Sequence, residues 1–161
     1  MNTELEILKQ ALQLEEEGYE FYMMASQDAE NEDAKEALQE LAGEEAKHKQ
    51  WVLDMYEKIA QGDGREFDFS EVKTPSPGIF KWKNVPLDNI SKGLSVMSIG
   101  VKMENSAVQF YTEAKKKTED PDLQKLLEIL IDWERQHLND FQSRYDELQQ
   151  EWWEQQRFSP S

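Results

Sequence analysis

The sequence predicts an all-α protein, a four-helix bundle made of two helical hairpins joined by one long crossover. Three observations lead there. Of 161 residues, 32% are charged and 38% hydrophobic, with only 7 glycines, a composition that suits long helices better than strands. Apolar residues recur at helical spacing in four stretches, with start or stop signals at their ends. The second half also repeats the first: Glu15 recurs as Glu104, Tyr22 as Tyr111, Glu45 as Glu134 and His48 as His137, always 89 residues on (137 − 48, for instance). A hairpin copied once gives a bundle with a pseudo-two-fold axis, and one long crossover is a known way to connect its halves.

Thr3-x-x-Glu6 reads as a capping box that opens the first helix. Leu5, Leu8, Leu12, Tyr19, Tyr22 and Met23 carry its apolar stripe to about Ala29. Asn31 can cap a second helix that runs to about Ala60, with Leu38, Leu41, Ala42, Val52 and Met55 facing inward and Gly62 and Gly64 stopping it. Residues 62–87 break the pattern, with Pro75, Pro77, Gly78 and Pro86 scattered among Phe67, Phe69, Phe80 and Trp82. So long and aromatic a crossover is expected to pack across the bundle. Asp88 reads as the cap of the third helix, which carries Leu94, Met97, Val101, Val108 and Tyr111 to about Lys117. Asp120-Pro121 places a cap before a proline at the first helical position. Leu127, Leu130, Ile131, Leu138 and Phe141 then take the fourth helix to about Gln150. The bundle thus occupies residues 1–150. Residues 151–161, with Trp152, Trp153 and Phe158, form a tail expected to pack on the bundle, with extension of the fourth helix as one course open to it.

The repeated residues carry chemistry. The chain has 2 histidines, and both follow a glutamate by three positions, as Glu45-Ala-Lys-His48 and Glu134-Arg-Gln-His137. Residues three apart on a helix share a face, so each pair can aim at one place. Glu15 and Glu104, one from each remaining helix, complete the ligand set of a carboxylate-bridged dinuclear metal site in a bundle core. Four buried carboxylates without cations would be very costly or would hold protons, whereas two divalent ions cancel their charge. Nitrogen and oxygen donors without thiolate suit iron, with manganese or zinc as alternatives. Tyr22 and Tyr111 lie two turns past Glu15 and Glu104, where each either hydrogen-bonds a ligand carboxylate or simply packs in the core. Glu16 and Glu44 adjoin ligands but read as ordinary surface acids. Gly18 and Gly100 fall inside helices, where glycine costs up to about 1 kcal/mol against alanine; close helix approach near the metals is one reason to keep them.

The net charge of −16 argues against a nucleic-acid partner, which requires a basic surface, and against an anionic membrane surface. Its plain meaning is a solubilising face on each helix, with an acidic path that concentrates ferrous ions as the alternative. With 0 cysteines, disulfides, iron–sulfur clusters and thiolate catalysis fall away. No apolar run spans a bilayer and the N-terminus lacks the pattern of a signal peptide, so a cytoplasmic location is expected.

The pattern Glu15-x-x-Gly18-x-x-Phe21-Tyr22 with Glu45-x-x-His48, repeated as Glu104-x-x-Ala107-x-x-Phe110-Tyr111 with Glu134-x-x-His137, resembles rubrerythrin-like proteins of the ferritin-like di-iron superfamily. The resemblance covers roughly residues 3–60 and 88–148 and implies a ferritin-like four-helix bundle. It also implies that Glu45 and Glu134 bridge two iron ions, with Glu15, His48, Glu104 and His137 as terminal ligands. Two departures stand out. Rubrerythrins proper append a rubredoxin-like domain with Cys-x-x-Cys pairs, and they carry an extra glutamate where this chain has Ala107.

The function expected is a di-iron oxidoreductase of peroxidase type that reduces hydrogen peroxide or dioxygen. Its electrons would come from an external donor such as a rubredoxin or a flavin reductase, and a homodimer or higher homo-oligomer is expected. No residue beyond the metal ligands needs a catalytic role. The alternatives are a ferroxidase or iron-storage protein, and a non-catalytic di-metal sensor module with Trp152 and Trp153 as a docking surface.

Overall fold

A computed structural model describes residues 2–62, 64, 66–75 and 90–158, the side chains of residues 90, 91, 157 and 158 apart. Four α-helices follow in order: α1 (Thr3–Asp28), α2 (Glu32–Gln61), α3 (Ile90–Lys117) and α4 (Pro121–Phe158). There is no strand among the described residues, and none of the helices is long and apolar enough to cross a membrane. α1 packs along α2 and α3 along α4, while α1 meets α3 across the bundle.

The helix ends follow local chemistry. Asn31 accepts a hydrogen bond from Ala34 N–H at the start of α2, and Gly62 closes that helix with φ +62°, a left-handed conformation that favours glycine. Asp120 caps α4 by accepting from Leu123 N–H at 3.0 Å. The start of α1 differs from the capping box: Asn2 accepts from Glu4 N–H, and Thr3 is the first helical residue. Asn is at least as good a cap as Thr, so the helix begins one residue early. At the other end, α4 continues through residues 151–158. Trp153 there is 62% exposed and touches Trp152 edge-on, so the expected packing of this indole on the bundle is absent.

The described part of the crossover lies on the bundle. Phe67, Phe69 and Val72 pack against the core formed by Ile7, Leu8, Val52, Met55 and Leu127. Phe67 N–H donates to Asp122 on α4 at 2.9 Å, and Trp133 donates its indole N–H to the Lys73 carbonyl at 2.7 Å. Phe80, Trp82, Pro77, Gly78, Pro86 and the cap expected at Asp88 lie outside the described residues.

The core comes in two blocks. One gathers Leu8, Ala11, Met55, Leu123, Leu126 and Leu130 with their neighbours. The other gathers Tyr22, Leu38, Leu41, Met97, Phe141 and Leu148. Each helix passes from one block to the other through a buried polar position: Glu15 on α1, Glu45 and His48 on α2, Glu104 on α3, Glu134 and His137 on α4. Helical register therefore brings six ionisable side chains into one layer between two apolar blocks.

Candidate metal centre

All six side chains of that layer belong to residues no more than 3% exposed. Their donor atoms form two overlapping sets. One oxygen or nitrogen from each of Glu15, Glu45, His48 and Glu134 lies within 4.8 Å of the others, and the same holds for Glu45, Glu104, Glu134 and His137. Glu45 and Glu134 belong to both sets, so two ions could sit side by side with these carboxylates between them. His48 turns Nδ1 inward, 3.2 Å from Glu134 Oε1 and 3.5 Å from Glu15 Oε2. His137 mirrors it, with Nδ1 3.2 Å from Glu45 Oε1 and 3.5 Å from Glu104 Oε1.

The donor set fits a cation. Glu15 Oε2, Glu45 Oε1, Glu104 Oε2 and His137 Nδ1 are buried without a hydrogen-bond partner. Buried polar atoms seldom stay unpaired, and here they converge with electron pairs to donate. A set of carboxylate and imidazole suits iron, manganese or zinc.

The tyrosines tie the two hairpins together through this layer. Tyr22 on α1 donates its hydroxyl to Glu104 Oε1 on α3, and Tyr111 on α3 donates to Glu15 Oε1 on α1 at 2.6 Å. Each phenol thus fixes the carboxylate contributed by the other hairpin. Burial, and then the neighbouring carboxylates, push both phenols well above their ordinary range, so they act as donors at any usual pH.

Glycine at position 18 has a geometric reason. A Cβ there would stand 3.1 Å from Glu45 Oε2, tight enough to displace the carboxylate shared by both donor sets. The repeat places Ala107 at the equivalent position. Gly100 serves the packing below, where a Cβ would meet the Phe141 ring at 3.2 Å.

Glu44 is not the surface acid its position suggested. Its Oε2 accepts from His137 Nε2–H at 2.6 Å. The clue available in the sequence is its place on α2, one residue from Glu45, where a modest turn of the side chain reaches α4. Glu16, in contrast, does pair at the surface, with Lys49 Nζ at 2.6 Å. Trp51 lies in the apolar core and Trp133 packs against it. Their rings flank His48, with centroids 5.0 and 5.1 Å from the imidazole.

Without ions, protons carry the compensation. Burial pushes the Glu45 carboxyl well above the usual range, and the charges of Glu134, Glu15 and Glu104 push it further. Glu104 is raised by burial and then by Glu134. For His48, burial opposes the charge, but Glu15 and Glu134 overcome it and lift the imidazole to about 9. His137 is also raised against burial, by Glu104, Glu134 and Glu44. Glu134 goes the other way: burial disfavours its charge, yet hydrogen bonds with Glu104 and both imidazoles hold it well below the usual range.

These directions set a pH dependence. The raised groups contribute stability that is fully present below their ordinary values, 4.5 for the carboxyls and 6.5 for the imidazoles, and lost as pH climbs through the folded values. Chelator-treated protein should therefore lose melting temperature between about pH 6.5 and about pH 9, whereas metal-loaded protein, whose ions replace those protons, should not. Thermal melts of both forms across that span check this; a gap between them that does not widen with pH would contradict it. A second expectation concerns Gly18→Ala. The helix gains up to about 1 kcal/mol, so the fold should persist, while displacement of Glu45 should weaken metal retention by about tenfold. Competition with a chelator and a parallel melt separate the two effects, and unchanged retention would refute the steric argument.

Comparison with known proteins bears on the same residues. The family model described as Rubrerythrin matches residues 6–145. No curated protein matches the chain. Among solved structures, a hypothetical protein from Pyrococcus furiosus is similar with a TM-score of 0.69 and 24% identity, over 93% of this chain and 92% of its own. A dodecameric thioferritin, the bacterioferritin-related protein from Bacteroides fragilis, is similar with a TM-score of 0.68 and 20% identity, over 99% of this chain and 94% of its own. At such identities the two structures speak for the fold, a ferritin-like helical bundle. The family match spans all four helices and every residue of the buried polar layer, and by it the chain belongs to the rubrerythrin family.

Proposed function

We propose that the protein is a di-iron oxidoreductase that reduces hydrogen peroxide or dioxygen with electrons from an external donor. The observation that carries this is the pair of donor sets sharing Glu45 and Glu134, buried between apolar blocks yet reached by a cavity of about 230 Å³. That cavity lies between α1 and α3 and is lined by Glu15, Glu45, Glu104 and Glu134, with Gly18 and Ala107 beside them. It is large enough to admit a small oxidant such as peroxide or dioxygen.

Glu15, Glu45 and His48 would hold one iron and Glu104, His137 and Glu134 the other, with Glu45 and Glu134 serving both. Iron there would supply the redox electrons and open coordination positions. The protein contributes the rest. Tyr22 and Tyr111 keep Glu104 and Glu15 from rotating away, and Glu44 orients His137. The apolar blocks keep bulk water from the layer. The small residues Gly18 and Ala107 are part of the cavity's lining beside the carboxylates.

These residues contain 0 cysteines, so electrons must reach the centre from a donor outside the bundle, such as a rubredoxin-type protein or a flavin reductase. A homo-oligomer is expected; a dodecamer is the assembly named for the thioferritin neighbour. The competing reading is ferroxidation with iron storage, in which iron is substrate and leaves the ligands as ferric product. Six protein ligands fixed by tyrosines, an acid and close packing favour retention over release.

Stopped-flow oxidation of the diferrous protein by peroxide and, separately, by air discriminates between them. Faster reaction with peroxide is expected, with the iron still bound after desalting. Faster reaction with air, together with uptake of many irons per chain, would favour storage.

A further inference from the structure

The repeat that builds the centre breaks beside the histidines. Glu44 on α2 has Trp133 as its counterpart on α4, 89 residues on (133 − 44). The outer nitrogens of the two imidazoles consequently meet different surroundings. His137 Nε2–H donates to Glu44 Oε2 at 2.6 Å. His48 Nε2 is buried with no hydrogen-bond partner among the described residues. Trp133 cannot substitute for the missing acid, because an indole only donates and its N–H is already given to the Lys73 carbonyl. His48 instead lines a cleft of about 460 Å³ whose walls include Trp51, Trp133, Lys47, Lys73, Glu44 and Glu71; neither acid is bonded to His48 Nε2.

Both imidazoles turn Nδ1 toward the carboxylates, so when Nδ1 binds a metal the proton sits on Nε2. A carboxylate that accepts this outer proton fixes the ring's tautomer and rotation and makes the inner nitrogen the better donor. Removing such a partner typically costs about 10–100-fold in metal affinity. One imidazole of this layer has such a partner on its outer nitrogen, and the outer side of the other meets only ring contacts among the described residues.

We propose that the centre holds its two ions unequally, with Glu44 as the positioning residue that makes the His137 position the tight one and leaves the His48 position exchangeable. The proposal rests on the two-ion reading given above and adds to it an order of loss. Under limiting metal or a competing chelator, the ion beside Trp51 and Trp133 leaves first.

The test uses the full chain loaded with cobalt(II) and mixed with a chelator, followed by cobalt absorbance and by the count of released ions. Two phases of one ion each are expected, separated by about tenfold or more. Glu44→Ala should accelerate the slow phase by about 10–100-fold and leave the fast one alone, and Glu44→Gln, whose amide oxygen still accepts, should restore most of the difference. Paramagnetic NMR of the cobalt form gives an independent signature. One imidazole N–H should resist exchange with solvent in the wild type, and that protection should vanish in Glu44→Ala. Release of both ions in a single phase, or equal acceleration of both by Glu44→Ala, would overturn the inequality while leaving the two-ion reading intact. Uptake of fewer than two cobalt ions by the wild type would overturn both.

Discussion

Everything in this structure depends on placing four carboxylates and two imidazoles, all nearly inaccessible to water, in one layer of a helical bundle. Charge removed from water at this density is tolerated only with compensation. The surrounding features read as answers to that constraint. Burial and the neighbouring charges favour protons on Glu45, Glu104 and the imidazoles in the absence of ions, which is why the ion-free fold is expected to depend on pH. The phenols of Tyr22 and Tyr111 supply donors to Glu104 and Glu15. The apolar blocks on either side supply the stability that the polar layer does not.

The pseudo-two-fold repeat explains both the economy of the centre and its asymmetry. One hairpin, used twice, brings a Glu, a Tyr and a Glu-x-x-His from each half to the same layer. The copies differ beside the candidate ligands. Gly18 corresponds to Ala107, and Glu44 to Trp133. At the first difference, the absence of a Cβ at Gly18 leaves room for Glu45 Oε2. The second gives one imidazole an acid and the other two indoles. A symmetric sequence motif therefore need not give its two histidines symmetric surroundings.

Much of this was legible in the sequence. The helices and most caps follow from apolar spacing and from Asn31, Gly62 and Asp120, because those signals act within a few residues. The six residues of the buried layer stand out in the sequence because both histidines share one spacing and one offset. What escaped depends on contacts between helices. Glu44 looks like any acid on a charged helix, and only the approach of α4 makes it a partner of His137. The choice between packing and hydrogen bonding for the tyrosines was likewise open until α1 and α3 were set side by side. The cap at Asn2 was missed because Thr3 completes a tidier motif, although either side chain can do the work. Trp153, expected to pack on the bundle, stands exposed because α4 carries it along the helix axis.

The central claim is that the buried layer is a two-ion centre with shared carboxylates, and the most direct test is a metal count. Protein reconstituted anaerobically with ferrous iron and desalted should carry about two ions per chain by elemental analysis, as six ligands divided over two positions require. Glu45→Ala, which removes an oxygen donor from both sets, should lose the pair rather than one ion. One ion or none in the reconstituted wild type, or two ions retained by Glu45→Ala, would contradict the account.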